Sequence, residues 1–180
     1  VLFRSDIILG TGANNFGTVR LNAGNATIAD ANDIILGTST LTGLTVTATT
    51  GNITQAAALS LTGAGDFSAG ANVTLGTAAN NFSTVALSAG NATVVDTDDI
   101  VLGTTTVTGL TVTAGNAGNI TQSGTVSATG ISNLTAADDD IILGTAANNF
   151  GTVALIAGNA TIVDANDIIL GTSTLTGLTV

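Results

Sequence analysis

Residues 33–47 read DIILGTSTLTGLTVT, and the spacing of the apolar residues in this stretch decides the class of fold. Ile34 and Leu36 are predicted to share one face with Ile35 on the other, and the run that starts at Leu44 repeats this alternation. A spacing of two is typical of a β-strand with one buried face. Thr and the β-branched residues favour the same structure, and Gly and Asn at the breaks supply turns. The stretch therefore predicts short strands, and we expect an all-β protein.

The stretch is part of an internal repeat, since closely similar segments return at residues 99–113 and 167–180. Shorter segments, among them Asn-Asn-Phe and Gly-Asn-Ile-Thr-Gln, return at the same offset of 66 to 68 residues. Self-similarity at a fixed period is the signature of a repeat architecture. We expect one continuous solenoid over residues 6–180, built of units 13–78, 79–146 and an incomplete 147–180.

A comparison of the units separates inward from outward positions. The position between two apolar residues is Arg20 in one unit and Ala86 or Ala154 in the others. A position that accepts both Arg and Ala faces water, so its neighbours face the core. Ile35 is predicted to be outward for the same reason, because a similar segment has Thr74 there.

Each unit divides most simply into three coils of about 22 residues, a length typical of short-period solenoids. The main alternative is an immunoglobulin-like sandwich, which usually has longer repeats and a core Trp or Tyr. Trp, Tyr and Pro are absent from this chain. A parallel β-helix (β-solenoid) needs only small aliphatic residues to fill its narrow interior, and we favour it.

The composition argues against several function classes. The chain has no His or Cys, only 2 Lys plus Arg, and 12 acidic residues that are all Asp. It therefore lacks the usual general bases and the thiolate or imidazole ligands of zinc. A formal charge of -10 is unfavourable for nucleic acid or anionic lipid. No apolar run approaches the roughly 18 residues of a membrane span. We predict a non-enzyme with no catalytic, cofactor or metal residues and no membrane insertion.

The first five residues differ in character from the repeats. Residues 1–5 read VLFRS, which matches the translated end of a common sequencing adapter. We expect residues 1–5 to be non-native and the chain to be a piece of a longer protein, and on that basis Arg20 is the one native cation.

The repeats resemble the shaft repeats of filamentous-haemagglutinin-like exoproteins, the large adhesins of bacterial two-partner secretion. The resemblance covers the chain after Ser5 and is carried by three motifs: Gly-Asn-Ile-Thr-Gln at 51–55, the Ala-Gly-Asn-Ala-Thr segments, and Thr-Gly-Leu-Thr-Val-Thr at 42–47. It implies a right-handed parallel β-helix that is secreted and displayed on the outer-membrane surface of a Gram-negative bacterium. The Asn-Pro motifs of the family's secretion domain are absent, so an autotransporter route stays open.

Acidic turns recur once or twice in each unit and are the most interesting candidate site. Three adjacent carboxylates repel one another, so a calcium ion held by carboxylate and carbonyl oxygens would relieve them. The spacing matches neither an EF-hand loop nor a calcium β-roll. The other interpretation is a solvated acidic turn that keeps neighbouring rods apart. The residues concerned are Asp30 and Asp33; Asp96, Asp98 and Asp99; Asp138, Asp139 and Asp140; Asp164 and Asp167.

Outward threonines are the second candidate, since a flat Thr ladder would suit ice binding. The ladder would need Thr-X-Thr in every coil, and Asp and Ala segments interrupt it, so this function is not favoured. The threonines concerned are Thr38, Thr40, Thr42, Thr45 and Thr47. A polysaccharide-processing enzyme is not favoured either, because a catalytic carboxylate pair should break the repeat.

We therefore predict a structural shaft segment of a secreted or surface-displayed bacterial adhesin, with a calcium-binding surface or matrix solenoid as the alternative. The expected partners are glycans or proteins on a host-cell or bacterial surface. Self-association through open solenoid ends is expected of the isolated chain, because unpaired strand edges recruit other strands.

Overall fold

A computed structural model describes residues 5–180, and this part of the chain is built of strands and turns without a helix. Accordingly, the described residues offer no helical segment of sufficient length and apolarity to cross a membrane. Most of the segment predicted to be non-native, residues 1–4, lies outside the described residues. The strands of residues 5–180 are β1 (Ile7–Leu9), β2 (Thr18–Val19), β3 (Asn25–Asp30), β4 (Ile34–Leu36), β5 (Ser39–Leu41), β6 (Gly43–Ala48), β7 (Ile53–Gln55), β8 (Leu59–Ala69), β9 (Val73–Leu75), β10 (Asn81–Ser88), β11 (Asn91–Asp96), β12 (Ile100–Val107), β13 (Gly109–Ala114), β14 (Ile120–Gln122), β15 (Val126–Leu143), β16 (Asn149–Ile162), β17 (Ile169–Leu170) and β18 (Gly177–Thr179).

The predicted alternation of inward and outward side chains is confirmed. In β4, Ile34 and Leu36 are fully buried while Ile35 is 37% exposed. Arg20 is exposed, as expected for an outward position. The apolar residues of one face of every strand therefore form a single core that runs the length of the stack.

The strands stack in parallel, which confirms the β-solenoid. We call the paired positions Ala26, Leu44, Gly65, Val85, Leu102 and Gln122 the first stack; each pairs with the next one. Successive members are 17 to 21 positions apart, and this separation is the length of one coil. The predicted coil of about 22 residues is therefore too long. The chain makes about 9 coils.

A second set of paired positions runs along the other side of the coils. We call it the second stack: Ile34, Ile53, Val73, Ala92, Leu110, Ser132, Val153 and Leu170. Along the chain, the members of the two stacks alternate, so each coil passes through each stack once. The core lies between them.

The sequence repeat does not contain a whole number of coils. Ala26 belongs to the first stack, and its equivalent 66 residues later, Ala92, belongs to the second. Between these two residues the first stack is passed three more times, at Leu44, Gly65 and Val85. One repeat therefore makes three and a half coils, and the prediction of three coils per repeat is wrong. Equivalent residues of successive units lie on alternate sides of the solenoid.

Local pairing is kept although the side of the solenoid changes. The run Ala26, Leu44, Gly65, Val85 in the first stack becomes Ala92, Leu110, Ser132, Val153 in the second, with each residue paired to the next in both. A unit therefore contacts the next unit in the same way whichever side it starts on. This property lets the units follow one another without a change of cross-section.

The core adjusts its volume between units. A Cβ on Gly65 would lie 2.7 Å from the ring of Phe67, so glycine leaves the space that this ring fills. Phe67 also makes an edge-to-face contact with Phe82, with ring centroids 6.3 Å apart. In the next unit the equivalents of Gly65 and Phe67 are Ser132 and Leu134, so a larger first residue accompanies a smaller second one. The hydroxyl of Ser132 is buried and has no hydrogen-bond partner among the described residues.

The glycine of the Gly-Asn-Ile-Thr-Gln motif gives a direct test of coil spacing. A Cβ on Gly51 would lie 2.3 Å from backbone atoms of Asn32 and Asp33 in the preceding coil, whereas a Cβ on Gly76 meets nothing within 4 Å. We expect Gly51→Ala to lower the free energy of unfolding by about 1–3 kcal/mol, because two coils must separate. Gly76→Ala should change it by less than about 0.5 kcal/mol. Chemical denaturation followed by circular dichroism measures both, and equal effects of the two substitutions would contradict the predicted close approach.

Candidate functional site

One aspartate of each acidic turn is drawn into the solenoid. Asp96 is 1% exposed, and its carboxylate accepts hydrogen bonds from the backbone N–H groups of Phe82 (2.6 Å) and Asp98 (3.2 Å). Such a carboxylate closes a turn by satisfying amides that face away from the strands. The same pair of bonds is made in the other units by Asp30, to Phe16 and Asn32, and by Asp164, to Phe150 and Asn166.

Burial changes the acidity of one of these aspartates. Desolvation raises the pKa of Asp96 to about 6, although the N–H groups of Phe82 and Asp98 favour the charged form. The carboxylate is therefore held in the fold against its preference for water, in exchange for satisfying the turn.

A second aspartate of the turn starts a ladder of side chains along the solenoid axis. Asp33 Oδ1 accepts bonds from the backbone N–H (2.7 Å) and the Nδ2 (3.0 Å) of Asn52. Asn52 receives the same two bonds from Asn72, and Asn72 receives them from Asn91. The ladder ends at Gly109, where a Cβ would lie 2.5 Å from the Oδ1 of Asn91. We call this set the first corner ladder.

The second corner ladder follows in the next unit and consists of Asp99, Asn119, Asp140 and Asn159. A shorter pair of the same kind joins Asp6 to Asn25. Hydrogen bonds from the backbone and side chain of Asn119 hold the pKa of Asp99 below its ordinary value. The corresponding bonds from Asn52 lower the pKa of Asp33 in the same way.

The acidic residues that seemed to form one cluster in the sequence thus have separate places. Asp98, Asp138 and Asp167 are exposed, and Asp138 has a left-handed backbone angle (φ 68). Within residues 5–180, no three acidic side chains come close enough together to hold a metal ion. The structure uses most of the candidate calcium ligands singly, in turns and ladders.

Sequence reasoning missed a buried amide pair in the core. Asn80 is fully buried, and its Nδ2 donates to the carbonyls of Leu75 and Val95 and to the Oε1 of Gln55. Its Oδ1 accepts from the backbone N–H of Leu59 and from the Nε2 of Gln55. The two side-chain amides are therefore paired in both directions, at 2.7 and 2.9 Å.

The amide pair recurs in the next unit. Asn148 pairs with Gln122 through bonds of 2.9 Å in both directions, and it also bonds Val126, Leu143 and Val163. A fully satisfied buried amide specifies one alignment of coils, because any shift leaves polar groups unpaired. The signal in the sequence was the joint recurrence of Asn-Asn-Phe and Asn-Ile-Thr-Gln, although nothing in the motifs shows that they meet.

The outward threonines form rows of different composition on the two sides. Thr45, one of the predicted ladder residues, stacks on Thr27 but is followed by Asp66 and then Ala86. The longest threonine row lies elsewhere and joins Thr54, Thr74, Thr93 and Thr111 before it ends at Asn133. The predicted interruption of the Thr45 row by Asp and Ala is confirmed.

We expect the buried amide pair to contribute strongly to stability. Replacement of Asn80 by Ala leaves a backbone N–H and two carbonyls without partners inside the core. The loss in the free energy of unfolding should be on the order of 3 kcal/mol or more. Asn81→Ala is the matched control, because this exposed neighbour makes no side-chain hydrogen bond to a described residue, and it should cost less than about 0.5 kcal/mol. Similar losses for the two variants in urea denaturation would refute the role of the pair.

The raised pKa of Asp96 predicts a pH effect of definite sign. Its folded pKa, about 6, lies above the ordinary value of 3.8, so the folded state binds the proton more tightly than the unfolded state. This group therefore stabilises the fold as the pH falls from 7 through 6 towards 4. Asp96→Asn cannot titrate, so its melting temperature should fall further behind that of the parent chain at pH 5 than at pH 7. Asp33→Asn is the control, since a lowered pKa acts only below about pH 4. A gap between Asp96→Asn and the parent chain that does not vary with pH would contradict the assignment.

Comparisons with known proteins agree with the tandem organisation. The family described as "Repeats of unknown function (DUF5649)" matches residues 23–88 and again residues 89–157. Neither the curated proteins nor the solved structures include a match to this chain. The two matched segments adjoin each other, as expected of consecutive units of one solenoid.

Proposed function

Because the chain belongs to the DUF5649 family of repeats, we propose that it is a non-catalytic shaft segment of a secreted or surface-displayed bacterial adhesin. The observation that carries the proposal is the repeat of three and a half coils with conserved pairing. Such units add length without altering the cross-section, which is the property that a spacer needs. The shaft would hold a binding region at a distance from the cell.

The use of polar groups also supports a structural role. The buried amides of Asn80 and Asn148 satisfy one another and the backbone, and the ladder residues bond along the axis. An active site would hold unpaired or converging groups, whereas these groups are occupied in holding the coils together. The net charge of -10 keeps neighbouring rods apart in solution.

The class of exoprotein is a finer part of the proposal. The motifs of the chain resemble filamentous-haemagglutinin-like shafts, and this resemblance supports export by two-partner secretion to the outer surface of a Gram-negative bacterium. The proposed partners are glycans or proteins on a host cell or another bacterium, contacted by the region that the shaft carries. Antibodies against the chain should then label intact, non-permeabilised cells of the source organism. Labelling only after permeabilisation would overturn surface display.

The shaft proposal predicts how the dimensions of the molecule depend on the number of units. Chains with two, four and six copies of unit 79–146 should lengthen by about 17 Å per unit, since three and a half coils stack at about 4.8 Å. Small-angle X-ray scattering should show an unchanged cross-sectional radius. A maximum dimension that does not grow with the number of units would refute a rod.

The alternative, a calcium-dependent surface or matrix solenoid, is separated by one further measurement. Melting of the 180-residue chain in calcium and in excess chelator should give the same midpoint if the shaft is metal-independent. A midpoint that rises with calcium concentration would favour the alternative, because a ligand that binds only the folded state stabilises it.

A further inference from the structure

Eight asparagines of the chain stand in the triplet Asn-X-Thr or Asn-X-Ser, the acceptor motif for N-linked sugars. The triplet is short and arises by chance in a chain rich in Asn and Thr, so the structure must decide which copies matter. The asparagines are Asn25, Asn52, Asn72, Asn81, Asn91, Asn119, Asn133 and Asn159.

Six of these triplets have a structural reason. Each asparagine is a rung of a corner ladder, its neighbour points into the core, and the threonine that follows points outward. The Nδ2 atom, which would accept a sugar, donates a hydrogen bond of 3.0–3.3 Å to the preceding coil. The six are Asn25, Asn52, Asn72, Asn91, Asn119 and Asn159.

Asn81 and Asn133 are different. Both are exposed, and neither side chain makes a hydrogen bond with any residue that the structure describes. Both stand in strands, in β10 and β15, with buried residues next to them, so their side chains point outward. The ladder therefore explains neither of these two triplets.

The surroundings of Asn81 differ from those of its equivalents in two ways. Asn15 and Asn149 are followed by Phe-Gly, whereas Ser83 completes the triplet after Asn81. Asn15 accepts a bond from Asn32 (3.3 Å), and the same bond forms in the third unit between Asn166 and Asn149 (3.2 Å).

In the middle unit, Asp98 takes the place of Asn32. A carboxylate cannot donate this bond, so Asn81 is left unengaged at the one position where Ser83 also completes the acceptor motif. Two differences in the same unit thus act in the same direction, towards an accessible acceptor amide.

Asn133 lies beside an open groove. The groove has a volume of about 310 Å³ and is lined by residues that include Thr108, Thr111 and Ile131. Its equivalent in the first unit is Asp66, which cannot accept a sugar at nitrogen. The groove leaves space at the side chain of Asn133 for an incoming ring and offers hydroxyl groups to it.

We infer that Asn81 and Asn133 are acceptor sites for N-linked glycosylation and that the six ladder asparagines are not modified in the folded protein. The donor is a nucleotide-activated hexose. The Nδ2 nitrogen attacks the anomeric carbon and the carbon–oxygen bond to the diphosphate breaks. The nucleoside diphosphate leaves with the electron pair, and one Nδ2 proton passes to a base of the transferase. The inference stands apart from the shaft proposal, because it depends only on which amides are free.

The test uses the folded 180-residue chain, a soluble asparagine glycosyltransferase specific for Asn-X-Ser/Thr, and a nucleotide-activated glucose. Site-resolved mass spectrometry should find hexose at Asn81 and Asn133. Rates at ladder asparagines should be lower by roughly tenfold, the factor expected if one hydrogen bond must open first. The denatured chain is the positive control and should be modified at ladder positions too. A folded chain that stays unmodified at Asn81 and Asn133, or is modified equally at ladder positions, would overturn the inference.

Two matched variants sharpen the result for Asn81. Ser83→Gly restores the sequence of the other units and should abolish modification of Asn81 while Asn133 is unaffected. Asp98→Asn restores the donor that Asn32 provides to Asn15 and should reduce the rate at Asn81 in the folded chain but not in the denatured chain. An equal rate at Asn81 in the parent chain and in Asp98→Asn would show that the freed amide is not what selects this site.

Discussion

Parallel backbone pairing between successive coils is the constraint on which the rest of the structure depends. Each coil uses its N–H and C=O groups on the coils before and after it, so every outward or inward position is stacked on a similar one. Glycines such as Gly51 and Gly118 are required where corners of neighbouring coils approach to 2.3 Å of an added Cβ. The apolar core and the corner ladders are both consequences of this stacking, because each needs like residues at a fixed axial spacing.

The stacked arrangement gives polar residues two distinct structural uses. Inside the core, Asn80 and Gln55 satisfy each other completely, and this pair specifies how three strands meet. At the corners, Asn52 and Asn72 repeat one bond from coil to coil, which resembles the amide ladders of stacked β-structures. Aspartate begins a ladder because it only accepts, and glycine ends it because a side chain would collide with the last amide.

A half-integral number of coils per repeat has a consequence for the surface. Any feature that one unit displays is displayed by the next unit on the other side, as Leu44 and Leu110 show for the core positions. Differences between units then mark individual positions against this regular background. Asn81 and Asn133 are such positions, and Ser132, with its unpartnered buried hydroxyl, is another.

The sequence by itself determined the all-β class, the inward and outward alternation, and the tandem units, because these depend on local spacing and on self-similarity. It did not determine the coil length, since 17 to 22 residues per turn depend on how each corner closes. Only the tertiary structure paired Gln55 with Asn80, 25 positions away, because more than one coil separates them along the chain. Likewise, adjacency in sequence grouped Asp96 with Asp98 and Asp99, whereas the turn directs the first inward and the last along the axis. Local chemistry is legible in the sequence, but the meeting of residues from different coils depends on a geometry that only the closed corners fix.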